Sequence, residues 1–260
     1  MDRAPFAARY RWTEARKRLG LRVLVLRTTA WPLWGIALPI LNDKAIIKRT
    51  ISAYSGAVTR AYSTARFMIL RQRFLDEIGQ YMPKQGRVLD IGCGFGLFSL
   101  YFAQKYPELQ IHGMDLNQSR IDQAQKAAAQ LGLTNATYKC GDARSFKAEE
   151  RYDAAYMMDI IHHIPKEAVR PLIEQLAKVL EPETRLIIKD VDTEPAYKRW
   201  FTFIMDKLVD PHSPVRYWEA SELMELLTQC GFDVHRHAMI DYLPYPHILY
   251  ICTRTDSAQQ

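Results

Sequence analysis

Acidic residues are scarce at the start of this 260-residue chain. Before residue 74 there are 3 Asp or Glu against 15 Lys or Arg, while the remainder carries 26 against 20. That asymmetry describes a basic N-terminal appendage on an acidic body, facing an anionic partner (a membrane surface or nucleic acid) or serving as a solvated basic surface. Cysteine is sparse too. Cys93, Cys140, Cys230 and Cys252 make no C-x-x-C pair and share no ligand spacing with histidine, so the expectation is a reduced, cytoplasmic protein without a structural metal. Long apolar runs are missing. The stretch from Thr28 to Leu41 has 14 residues and is broken by Pro32 and Pro39, too short to span a bilayer. No small-residue cleavage pattern follows the basic region convincingly, which speaks against a secretory signal, and there are no internal repeats or low-complexity tracts.

What stands out instead is Arg87-Val-Leu-Asp90-Ile-Gly92-Cys93-Gly94-Phe-Gly96, an apolar run ending in one acid and three glycines at alternate positions. It reads as a buried parallel strand that turns abruptly into a helix beginning near Leu97. A tight strand-to-helix turn is the plain alternative to a ligand loop. The dinucleotide pattern G-x-G-x-x-G fails, because its sixth position is Leu97. Asp90 at the strand end repels a pyrophosphate and attracts a cofactor that carries an amino group and a sulfonium. From these residues onward the chain resembles the class I S-adenosylmethionine (SAM) dependent methyltransferases, whose first motif is commonly an acid followed by G-x-G-x-G. The small-molecule, quinone-biosynthesis group is the nearest in kind.

Downstream the elements alternate: helix 97–105, strand 109–114, helix 118–131, strands 137–140 and 152–158, helix 168–180 and strand 185–191. Alternation of this kind indicates a parallel sheet with helices on both faces. An aromatic-rich helix 195–209 and a helix 221–230 come next, then two strands, 234–240 and 247–253, whose short link makes them antiparallel. The fold class expected is α/β: a seven-stranded, mostly parallel, doubly wound sheet with an antiparallel last strand, plus a helical N-terminal appendage. The expected divisions are a basic and apolar appendage over 1–50, a leading helix over the cleft within 51–86, a methyltransferase domain over 87–254 with an acceptor-side insertion at 192–218, and a tail over 255–260. In proteins of the resembling family such a leading helix lies over the cofactor cleft, where Tyr54 or Tyr62 helps to close it.

Ligands of open parallel sheets bind beyond the carboxyl ends of the strands, and four successive ends here carry an acid: Asp90, Asp115, Asp142 and Asp159. Any one of them reads equally as a helix cap. Jointly they match the family. The resemblance implies that Asp90 holds the cofactor's amino end, that Asp115, with Leu116 beside it, binds the ribose hydroxyls, and that Gly141-Asp142-Ala143 reads the adenine. It sets the backbone of Gly92, Cys93, Gly94 and Gly96 against the methionine part, and Met157 and Asp159 beside the sulfonium and the acceptor.

For proton removal the candidates are His162 and His163, on the loop after the fourth strand, with Asp159 and Tyr242 beside them. His-His-Ile-Pro also resembles a family segment that starts a helix without acting as base. Asp190, Asp241, His212 and His247 are further candidates.

The Asn-Pro-Pro-Tyr type motif of nucleic-acid amino methylation is absent, the matched residues being Met157-Met-Asp159-Ile. Aromatics at Trp200, Phe201, Phe203 and Trp218 indicate a hydrophobic or lipid-like acceptor of aryl, polyene or quinone-precursor type, methylated on oxygen or carbon. Basic residues with tryptophans over 9–41 suit peripheral contact with the inner face of a membrane, or a cover over the body. The competing readings are an RNA methyltransferase that uses the basic arm and a non-catalytic SAM-binding partner subunit.

Overall fold

A computed structural model describes residues 42–147, 150–209, 215–239 and 244–255. Seven strands form one sheet: β1 (Gly86–Ile91), β2 (Leu109–Asp115), β3 (Ala136–Cys140), β4 (Tyr152–Met158), β5 (Leu180–Val191), β6 (Phe232–Met239) and β7 (His247–Arg254). Their order is β3-β2-β1-β4-β5-β7-β6. The pairs from β3 to β5 are parallel, and β7 runs antiparallel to both β5 and β6. The central strands read as unbroken apolar runs because both of their faces are buried.

Alternate residues feed two cores. Val88, Ile111, Tyr138, Tyr156, Ile187 and Leu249 pack on one side with α1 (Asp43–Ser52), α2 (Ala57–Ile69), α3 (Gln72–Gly79), α4 (Leu97–Lys105) and α5 (Gln118–Leu131). Leu89, Ile91, Met157, Ile188 and Ile248 pack on the other with α6 (Lys166–Val179) and α8 (Ala220–Gln229). Between β5 and α8 the chain forms α7 (Ala196–Val209).

The single helix expected within 51–86 is two, α2 and α3, preceded by the last residues of α1. Leu70, fully buried, takes a non-helical conformation between α2 and α3, and α2 begins afresh at Gly56. The boundary expected at residue 50 falls inside α1. That helix packs on α4, with Tyr101 donating to Asp43 (2.9 Å), Gln104 to Thr50 (2.9 Å) and Lys105 bridging Asp43 and Asp76. Residues 97 to 103 of α4 are consequently buried all round, the mark of a helix covered on every side. Among the described residues no helix is long and apolar enough to cross a membrane.

Gly92 shows how tightly the loop after β1 is packed. It sits at φ 76°, and a Cβ there would lie 2.5 Å from Ile160. Gly92→Ala is expected to lower the stability of the protein by roughly 2–4 kcal/mol, from left-handed strain plus overpacking, read as a fall in the denaturant midpoint at constant slope.

Candidate active site

Parallel pairing of β1 with β2 ends at Ile91 opposite Met114, which leaves the next amide groups of β1 without strand partners. The loop satisfies them by folding back on the end of β2. Gly92 and Cys93 both donate to the Met114 carbonyl (2.8 and 3.0 Å), and Gly94 donates to the Asp115 carboxylate (2.9 Å). Gly94 sits at φ 54° with open space where a Cβ would stand, so its backbone can be approached directly. Above the loop Tyr54 donates to the Phe95 carbonyl (2.7 Å) and Tyr62 packs edge-on against the Phe95 ring.

A cleft of about 650 Å³ opens beyond these strand ends. Asp90, Gly92, Cys93, Gly94, Asp115, Leu116, Asp142 and Ala143, all named from the sequence as cofactor residues, line it. Asp115 is oriented by amides, one oxygen accepting from Gly94 and the other from Asn117 (2.9 Å), which leaves each with a further lone pair for a ribose hydroxyl. Asp142 caps the short turn that follows it and pairs with Arg144 (2.5 Å), which holds its carboxyl below the usual range. Two expectations need correction. Gly96 does not reach the cleft: it is where α4 begins, and its Cα faces Tyr138 and Ala124, where a Cβ would clash. Met157 points into the core shared with α6, because side chains alternate along β4, and Met158 lines the cleft in its place.

The other half of the cleft lies at the ends of β4, β5 and β7. Asp159 follows β4 at φ 55°, a left-handed conformation that costs a non-glycine residue roughly 1–3 kcal/mol. Ion pairing offsets that strain. One carboxylate oxygen accepts from Arg66 of α2 (2.6 Å) and the other from Lys189 of β5. Burial opposes its ionisation, but Lys189 and Arg66 prevail and hold Asp159 far below the usual carboxylate range. His247, at the start of β7, lies edge-on to Phe74 and stacked on Tyr245. Lys189 and Asp190, adjacent on β5, serve opposite sides of the strand. Asp190 pairs with Nδ1 of His162 and also accepts the Val191 amide (2.8 Å). His162 is buried and His163 half-buried, their rings 4.1 Å apart, and both line the cleft. Tyr242, Asp241 and His212 lie outside the described residues, as does the basic stretch 9–41.

Sequence reasoning passed over Arg66 and Lys189. A lysine inside the apolar run Leu186-Ile-Ile-Lys189 was the available signal, since a buried ammonium requires an anionic partner. Among the described residues no cluster of three His, Cys, Asp or Glu side chains is placed to hold a metal.

The cleft also controls the charge of Asp90. Burial and the neighbouring Asp115 raise its pKa to about 7, although Tyr156 donates to it (2.8 Å). Between its unfolded value of 3.8 and about 7 the folded chain holds a proton that the unfolded chain has released. Stability of the ligand-free protein therefore falls as pH rises through that window. An ammonium bound there favours the carboxylate, so the affinity for SAM is expected to rise up to about tenfold per unit between pH 6 and 7 and then flatten. Calorimetric titration across pH checks this, with Asp90→Asn expected to weaken binding and abolish the slope.

A family model described as a methyltransferase domain matches residues 88–183. The ubiquinone biosynthesis O-methyltransferase of Leptothrix cholodnii is 26% identical over 167 residues, which cover 61% of this chain and 68% of that protein. The (S)-coclaurine N-methyltransferase of Papaver somniferum is 26% identical over 104 residues, 40% of this chain and only 29% of that protein. Among solved structures, a SAM-dependent methyltransferase from Methanosarcina mazei superposes with a TM-score of 0.57 at 23% identity, covering 69% of this chain and 97% of its own, and so shares the fold. With the acid and glycine loop closed onto β2 and acids lining the cleft from the ends of β1 to β3, these matches agree with the geometry: residues 88–183 are a methyltransferase domain, in a chain with the fold of S-adenosylmethionine-dependent methyltransferases.

Proposed function

We propose that this methyltransferase acts on a hydrophobic small molecule, on oxygen or an acidic carbon, at a membrane surface. The observation that carries the reading is the composition of the cleft beyond its cofactor half. There Ile69, Phe98, Met158, Ile164, Val191 and Met205 provide apolar walls around the His162–Asp190 pair. SAM, when bound, supplies an electrophilic methyl group on a good leaving group. The residues fit it: Asp90 for the ammonium, the open backbone at Gly94 for the methionine chain, Asp115 for the ribose and Asp142-Ala143 for the base.

What the protein adds is orientation and proton removal. Asp190 accepts from Nδ1 of His162, and that tautomer carries its lone pair on Nε2, the atom that takes the proton of the acceptor. Arg66, reaching from α2 to Asp159, ties that helix to the end of β4.

Membrane delivery is supported by α7. Tyr197, Trp200, Phe201 and Ile204 stand at helical spacing on its exposed side, Tyr197 and Trp200 at 67% and 60% exposure, with Lys198 and Arg199 among them. Thr202 and Met205 of the same helix line the cleft. The names of the relatives, a ubiquinone biosynthesis O-methyltransferase and an (S)-coclaurine N-methyltransferase, accord with a small-molecule acceptor.

Incubating the protein with methyl-labelled SAM and an extract of its source cells is expected to place label in the organic-soluble fraction. Label recovered in RNA instead would overturn the reading. His162→Gln is expected to lower the rate by roughly a hundredfold or more with SAM affinity unchanged. In flotation, the full chain is expected to rise with vesicles containing phosphatidylglycerol. Replacing Trp200 and Ile204 together by Ser is expected to reduce that fraction severalfold, and an unchanged fraction removes α7 from the membrane contact.

A further inference from the structure

Four side chains from four elements meet in the half of the cleft away from the cofactor acids: Arg66 of α2, Asp159 after β4, Lys189 of β5 and His247 of β7. Asp159 divides its two oxygens between the two cations. That engages one N–H of the Lys189 ammonium and leaves two more. His247 is 3% exposed, and neither of its ring nitrogens has a hydrogen-bond partner among the described residues. Its surroundings keep the imidazole neutral: burial first, then the positive charges of Lys189 and Arg66, bring its pKa down to about 2 in spite of Asp159. A neutral imidazole offers one N–H donor and one bare nitrogen. Phe74 and Tyr245 cover the ring with aromatic surface and supply neither complement.

Lys189 and His247 stand diagonally on one face of the β5–β7 pair, Lys189 opposite Leu249 and His247 opposite Val191, so a group lying between them meets ammonium donors on one side and an imidazole on the other. A carboxylate or an ether only accepts and leaves the bare imidazole nitrogen unused, and an ammonium only donates and has nothing to offer Lys189. A hydroxyl does both: its oxygen accepts from Lys189 while its hydrogen is given to His247. We propose that Lys189 and His247 form a hydroxyl-recognition subsite for the acceptor, selecting a molecule that presents a phenolic or enolic hydroxyl from an otherwise apolar body. This rests on the reading that the cleft takes a hydrophobic small molecule. It assigns the anchoring of that molecule to a pair separate from His162–Asp190, so the anchored hydroxyl and the atom that loses its proton are different groups. Asp159 and Arg66 act as positioning residues, fixing the ammonium of Lys189.

The test uses the full chain with S-adenosylhomocysteine present and two probes that differ by a single group, 4-octylphenol and octylbenzene. Titration calorimetry is expected to show the phenol binding at least about tenfold tighter, a modest value for a buried site built around a hydroxyl. His247→Phe preserves a ring between Phe74 and Tyr245 and is expected to bring the ratio near one while SAM affinity stays unchanged. In nitrogen-edited spectra the imidazole of His247 is expected to shift on addition of the phenol and not of octylbenzene, a response that a packing role does not produce. Equal binding of both probes by the parent protein, or selectivity that survives in His247→Phe, overturns the subsite and leaves the hydrophobic-acceptor reading standing. If neither probe binds while SAM still does, the hydrophobic-acceptor reading falls and the subsite falls with it.

Discussion

The methyl-transfer site depends on how the last amides of β1 find acceptors. A strand that stops in mid-sheet leaves N–H groups with no neighbour, and an unpaired buried amide costs roughly 1–3 kcal/mol. Here β2 runs far enough for the Met114 carbonyl to take two of them and the Asp115 side chain a third. Asp115 is thus oriented by the same loop whose backbone faces the cofactor. The glycines follow from this geometry. Gly92 gives room to Ile160, Gly96 to Tyr138, and Gly94 alone leaves its space to a ligand.

Charge is organised differently in the two halves of the cleft. Near β1 the buried carboxylate of Asp90 has no ion-pair partner among the described residues and holds its proton up to about pH 7, so its ionisation is coupled to an incoming positive group. Near β4 and β5 the carboxylate of Asp159 is already matched by two cations and stays ionised. One half waits for a charge; the other is internally compensated and offers hydrogen-bonding groups. That difference accords with a cationic cofactor on one side and an uncharged acceptor on the other.

Much of this was legible in the chain, for local reasons. The bounds of α4, α5 and β4 follow from periodicity and from caps such as Asn117 and Gly132, which act within a few residues. The strand-end acids were visible because each precedes a turn. What escaped depends on distant partners. The division of α2 from α3 at Leu70 is set by burial against the sheet, and nothing in the local pattern announces it. Choosing between Met157 and Met158 requires knowing which face of a doubly covered strand a residue takes, and an apolar run carries no such parity. Arg66 and Lys189 are 123 positions apart in the chain and meet only because Asp159 stands between them.

The burial of α4 on all sides has a practical consequence for anyone shortening the chain. A truncation at residue 51, where composition changes, removes most of α1 and with it Asp43, Ile46 and Thr50. Tyr101 loses its carboxylate partner and Lys105 one of its two, and the apolar outer surface of α4 becomes a sticky patch. The smallest soluble catalytic fragment therefore has to begin ahead of Asn42, whose side chain starts α1.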